Sequence, residues 1–188
     1  NAIYGTDYAD TLDGLAGADS LYGGYGDDIY ICDAADTIQD AGGFDTLLSD
    51  ADITSPFDPS SSFFIEKLVL TGNNATKATG SIGNDVLDGS QNANANTLIG
   101  GKGDDEYIVG ANDVIVELAG EGLDILGVSV DTTLQASSNL EGLRAYGSTG
   151  LRLTGTSVAN VLYGNTGNDT LDGLAGADSM YGGAGSDI

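Results

Sequence analysis

The chain has no histidine, one cysteine, five basic residues and no long apolar run. Each lack removes a class of function. Without histidine, neither a Ser-His-Asp triad nor an HExxH zinc site can be built. The single cysteine, Cys32, excludes an internal disulfide. It follows Ile29-Tyr30-Ile31 and reads as a small, partly buried strand residue, with an intermolecular disulfide as the alternative. Lys67, Lys77, Lys102, Arg144 and Arg152 are the only basic side chains and form no cluster. Neutralising phosphates needs many such cations, so nucleic acid is excluded as a partner, and an anionic membrane surface would repel the chain. No stretch approaches about 18 apolar residues, which excludes membrane insertion through a helix. No signal peptide is visible. The chain opens and closes inside repeat-like text and reads as a window of something longer.

Acid and glycine are abundant instead. Twenty-nine acidic residues give a net charge of −24, and 30 of 188 residues are glycine. That balance alone suits disorder. Yet 40% of residues are hydrophobic, in short recurring clusters. A chain that folds when cations quench its charge fits both facts.

Repeats organise these clusters. Residues 160–188 repeat residues 1–29 without a gap, with 20 of 29 positions identical and an offset of 159. The long period divides in two. Gly23-Gly24-Tyr25-Gly26-Asp27-Asp28 returns from Gly100, near the middle of the period, and again from Gly182. Ile65-Glu66-Lys67-Leu68 and Leu140-Glu141-Gly142-Leu143 are weaker internal matches. Inside each block Asp recurs about every nine residues, and two residues later stands a large apolar side chain, as at Leu12, Leu21, Tyr30, Leu47, Leu87, Tyr107 and Leu162.

Nine residues suit a Gly-rich turn of six and a strand of three. The middle strand residue is apolar and faces a core. Two units make a coil of about 18 residues, and coils stack into two parallel sheets that depend on their neighbours for stability. The expected fold is all-β: a right-handed parallel β-roll with two short parallel sheets. Stacking places aspartates above one another, Asp10 over Asp28, Asp19 near Asp36, Asp169 over Asp187. Such ladders need a cation. Calcium takes six to eight oxygens from carboxylates and carbonyls, whereas magnesium is stricter in geometry and zinc prefers His and Cys. Asp10, Asp19, Asp28, Asp36, Asp45, Asp85, Asp105, Asp113, Asp124, Asp169, Asp178 and Asp187 are the candidate carboxylate ligands for several Ca²⁺ ions.

The units Gly14-Leu15-Ala16-Gly17-Ala18-Asp19-Ser20-Leu21-Tyr22 and Gly23-Gly24-Tyr25-Gly26-Asp27-Asp28-Ile29-Tyr30-Ile31, with those from Gly164, Gly173 and Gly182, resemble the RTX (repeats-in-toxin) nonapeptide GGxGxDxUx. The resemblance implies a β-roll with Ca²⁺ held between turns by the Asp and by backbone carbonyls, here those of Gly14, Ala16, Gly17, Gly23, Gly26, Gly100, Gly103, Gly164, Gly173, Gly176, Gly182 and Gly185. It also implies type I secretion from a Gram-negative bacterium and an extracellular or cell-surface location. The match covers 5–31 and 164–188 well. Segments 32–49 and 106–130 keep the Asp but lose the double Gly. Asn96 and Asn160 replace Asp with a neutral ligand, which predicts weaker or absent ions, and Tyr8 stands where Gly is expected.

The expected organisation is repeats over 1–49, a Pro- and Ser-rich loop over 50–64, partly degenerate repeats over 65–131, a second loop over 132–139 and repeats over 140–188. Phe57, Phe63 and Phe64 offer the first loop a binding or assembly surface, with plain decoration as the alternative. The acids recur with the fold period, so no glycosidase-like pair is singled out, and no catalytic site is expected. A structural module of a secreted adhesin, surface layer, matrix or fibre is the leading reading. An accessory roll of a secreted hydrolase, epimerase or toxin, and a polysaccharide- or ice-binding module, remain alternatives. The open ends of a parallel solenoid leave room for end-to-end self-association.

Overall fold

A computed structural model describes residues 1–54 and 65–188. The candidate surface at Phe57, Phe63 and Phe64 lies outside them. Twenty strands of two to four residues follow in order: β1 (Ala2–Tyr4), β2 (Thr11–Asp13), β3 (Ser20–Tyr22), β4 (Ile29–Cys32), β5 (Thr37–Gln39), β6 (Thr46–Ser49), β7 (Ile53–Thr54), β8 (Lys67–Leu70), β9 (Lys77–Thr79), β10 (Val86–Asp88), β11 (Thr97–Ile99), β12 (Glu106–Ile108), β13 (Val114–Val116), β14 (Ile125–Val128), β15 (Thr132–Thr133), β16 (Gly142–Ala145), β17 (Arg152–Thr154), β18 (Val161–Tyr163), β19 (Thr170–Asp172) and β20 (Ser179–Tyr181). The described residues contain no helix. The fold is the expected all-β parallel β-roll.

Strands alternate between two faces because each turn reverses the chain. All ten even-numbered strands form one unbroken parallel sheet. The odd-numbered strands form three separate pieces, β1-β3-β5, β7-β9-β11-β13 and β15-β17-β19. The even sheet stays in register because each strand contributes the same inward position. Leu12, Tyr30, Leu47, Leu68, Leu87, Tyr107, Leu126, Leu143, Leu162 and Met180 pair in one line along the roll. Most are fully buried, and they meet the shorter odd-face lines Ile3–Leu21–Ile38, Ile53–Ala78–Leu98–Ile115 and Leu153–Leu171 in a single core. Coils vary in length without losing this line: the coil from Tyr30 to Leu47 is shorter than the next, from Leu47 to Leu68.

The long repeat changes face. Residues of β1, β2 and β3 recur as β18, β19 and β20. β1 and β3 belong to an odd piece, whereas β18 and β20 belong to the continuous sheet. Corresponding strands of the two copies are offset by seventeen, an odd number, so near-identical text lies on opposite faces of the roll. The stacked pair Tyr4–Tyr22 (ring centroids 4.7 Å apart) thus reappears as Tyr163–Tyr181 (5.0 Å) on the other side.

Candidate metal centres

Most turns end on an acid, or on Asn96 or Asn160 in its place, immediately before a strand and two residues ahead of the core side chain. That placement puts the acids of successive coils one above another. The even-strand edge carries Asp10, Asp28, Asp45, Glu66, Asp85, Asp105, Asp124, Glu141, Asn160 and Asp178. On most rungs one oxygen of the upper acid accepts the backbone N–H of the acid below. Asp10 donates to Asp28 Oδ1 at 2.9 Å, Asp28 to Asp45 Oδ1 at 2.8 Å and Asp45 to Glu66 Oε2 at 2.8 Å. Asp85, Asp105 and Asp124 donate in the same way to Asp105, Asp124 and Glu141, and Asn160 to Asp178. The opposite edge repeats the pattern with Asp19 to Asp36, Asn96 to Asp113 and Asp169 to Asp187. All twelve sequence-predicted carboxylates stand on these two ladders.

Glu66 and Glu141 continue the ladder, and the spacing of aspartates misses them. Their signal is present in the sequence, since each stands two residues before a core leucine, Leu68 and Leu143, as the aspartates do. The longer side chain and the absent nine-residue spacing conceal it.

The second carboxylate oxygen separates the turns into two kinds. In some turns the residue after the first glycine bonds the side chain that ends the turn. Asp10 Oδ2 accepts from Thr6 N and Oγ1 at 2.6 and 2.8 Å, and Asp85 Oδ2 from Ser81 N and Oγ at 2.6 and 2.9 Å. Asn160 is held likewise by Thr156, and Asp169 Oδ2 by the N–H of Asn165. Asp36 and Asp113 take the N–H groups of Asp33 and Gly110. In the Gly-Gly turns of Asp28 and Asp105 no such bond forms. Asp28 Oδ2 and Asp105 Oδ2 are buried without a hydrogen-bond partner among the described residues, as are Asp19 Oδ2, Asp45 Oδ2 and Asn96 Oδ1. An unpaired buried polar atom costs about 1–3 kcal/mol, and more when charged.

Glycine makes room for these oxygens. Gly24 and Gly26 have φ of 106° and 112°, and Gly101 and Gly103 repeat this at 108° and 109°, a region that L side chains rarely adopt. At Gly23 and Gly100 the constraint is space: a Cβ there would land on the hydroxyl of Tyr30 or Tyr107 and on Oδ2 of Asp28 or Asp105. None of the twelve predicted main-chain carbonyls accepts a hydrogen bond from another described residue. The carbonyls of Gly23, Gly100 and Gly182 face the first glycine of the coil below, beside Asp10, Asp85 and Asp169.

The field in the ladders is strongly negative. Burial, followed by neighbouring acids, raises Asp105 to about 8. Burial also raises Asp85 and Asp124 to about 6, and lifts Asp28, Asp45, Glu66 and Glu117 above their ordinary values. A carboxylate raised this way needs either a proton or a cation. Open carbonyls and unpaired carboxylate oxygens are a hard-oxygen donor set of the kind calcium takes. Cys32, half-buried at the end of β4, has its thiol pushed up to about 12 by burial and by nearby aspartates.

A family model described as the RTX calcium-binding nonapeptide repeat matches this chain in four copies, over residues 4–31, 71–106, 79–116 and 154–188, together more than half of its length. Among curated proteins, the chain is similar to the endo-1,3-1,4-β-glycanase ExsH of Rhizobium meliloti (strain 1021), at 37% identity over 93 residues. The alignment takes in 49% of this chain and 19% of the glycanase. The repeated turns, the parallel roll and these matches agree: the chain belongs to the RTX calcium-binding nonapeptide repeat family.

Proposed function

We propose that the chain is a calcium-folded structural module of a secreted bacterial protein, such as an adhesin, surface-layer, matrix or fibre component. The supporting observation is the set of buried carboxylate oxygens without partners, at Asp19, Asp28, Asp45 and Asp105. In this reading they hold Ca²⁺ together with the open carbonyls of the Gly-rich turns. Turns closed by Thr6, Ser81, Thr156 or Asn165 supply their own donors and load second. Ligands from different coils meet only in the roll, so each ion stabilises the folded state and not the unfolded chain. Extracellular modules bind calcium at about 10⁻⁴–10⁻³ M. The chain would remain unfolded at low calcium, which suits export, and fold outside the cell. Far-ultraviolet circular dichroism tests this: strand content should rise on adding calcium and fall with a chelator. Equal strand content in both would refute the switch.

The similarity to a glycanase favours a second reading, an accessory roll of a secreted hydrolase. The two readings differ in what flanks the module. A hydrolase domain in the same reading frame selects the second, and further copies of the long period select the first.

A further inference from the structure

The nonapeptide pattern accounts for the acid that ends each turn. It does not account for Asp40 and Glu117, which open turns at positions where a glycine would stand. Asp40 lies with Asp28 and Asp45, and Glu117 with Asp105 and Asp124. In each group one carboxylate oxygen per residue lies within 4.8 Å of the others. Two ligands on one calcium, each about 2.3–2.6 Å from the ion, are separated by no more than about that span. Two members of each group are related by the internal repeat: the offset that carries Gly23 to Gly100 also carries Asp28 to Asp105 and Asp40 to Glu117.

Two further facts point to a ligand. Asp28, Asp45 and Asp105 are at least nine-tenths buried, and each has an Oδ2 with no partner. A core tyrosine also reaches each group: Tyr30 donates its hydroxyl to Asp40 Oδ1 at 2.7 Å, and Tyr107 donates to Glu117 Oε2. Leucine or methionine occupies the remaining positions of that core line, so the two hydroxyls stand where the two acids stand. None of the three ion pairs among the described residues involves a member of either group.

We propose that Asp28–Asp40–Asp45 and Asp105–Glu117–Asp124 are two dedicated cation sites of three carboxylates each. Each is walled by a tyrosine hydroxyl, takes one calcium-sized ion, and loads before the other turns. Asp40 and Glu117 are ligands, and Tyr30 and Tyr107 are positioning residues that orient them. The inference rests on the calcium-module reading and adds to it two residues outside the repeat and the two sites at which loading begins.

The test uses the whole chain, with calcium binding followed by calorimetry and Tb³⁺ as a luminescent probe. The chain has no tryptophan, so its tyrosines are the sensitisers of Tb³⁺ emission. Asp40→Asn and Glu117→Gln should each remove one ion from the tightest class, or weaken it about 10–100-fold, while the other group retains its ion. Tyr30→Phe with Tyr107→Phe should keep the ion count and lose most of the emission that appears with the first ions. Strand content in saturating calcium checks folding. If either acid variant fails to fold, the emission of the Phe variants decides. Unchanged tight binding in both acid variants, or unchanged early emission in the Phe variants, overturns the inference and leaves the calcium-module reading standing. A wild-type chain that binds no calcium overturns both.

Discussion

At the scale of the residue, the ladder aspartates are bifunctional. One oxygen ties two coils together through a backbone N–H, and the other is either satisfied by its own turn or left bare. Asp105 is the sharpest case, 1% exposed, with a bare Oδ2 and a carboxyl raised to about 8 by burial. Asp105→Asn should therefore act through calcium. In saturating calcium it should lower stability by about 1–3 kcal/mol through a lost charged ligand, and the calcium concentration needed to fold the chain should rise. Thermal melts over a calcium series check this, and an unchanged calcium dependence would count against a metal role. Gly100→Ala drives a methyl into Tyr107 and Asp105, an overpacking that costs about 1–3 kcal/mol. Adding Tyr107→Phe should recover part of the loss, measured by denaturant titration. The ladder aspartates were legible in the sequence because their spacing equals the coil. Asp40 and Glu117 were not. They enter their groups through the reach of a core tyrosine, and a linear spacing does not encode side-chain reach.

At the scale of the element, no strand is stable by itself. Three residues bury one large side chain, so stability comes from the unbroken line of ten inward residues on the even face. Leu87 sits in the middle of that line and is fully buried. Leu87→Ala should cost about 2–5 kcal/mol. Val114, an outward residue of β13, is 55% exposed, so Val114→Ala should stay within about 0.5 kcal/mol. Equal losses in calcium-saturated denaturation would contradict a core that runs along the roll. The apolar residue two places after each acid made this line readable in advance. The interruptions of the odd face, between β5 and β7 and between β13 and β15, were less readable, because the even face runs through both without a change in its pattern. The reversal of face by the long repeat was hidden as well. It depends on counting strands, and coils of unequal length prevent that count from the offset alone.

At the scale of the whole molecule, a net charge of −24 must be balanced by protons or by cations. Ordinary aspartates titrate near 3.8, whereas burial lifts Asp85 and Asp124 to about 6 and Asp105 to about 8. The folded, metal-free chain then binds more protons than the unfolded chain between about pH 4 and pH 8. Stability from these groups is fully present below about pH 4 and is lost as the pH rises through 6 to 8. Calcium competes for the same oxygens. Its binding should release protons, and its apparent affinity should climb between about pH 5 and pH 8. Calorimetry in buffers of different ionisation heat measures that release, and none at pH 6 would remove the buried acids from the site. The account stands or falls on where the ions sit. The most direct measurement is a crystal structure grown in calcium, with the ions located by their anomalous scattering. The account predicts ion peaks about 2.3–2.6 Å from Oδ2 of Asp28 and of Asp105. Well-ordered turns in which those two oxygens meet only water, or nothing, would contradict it.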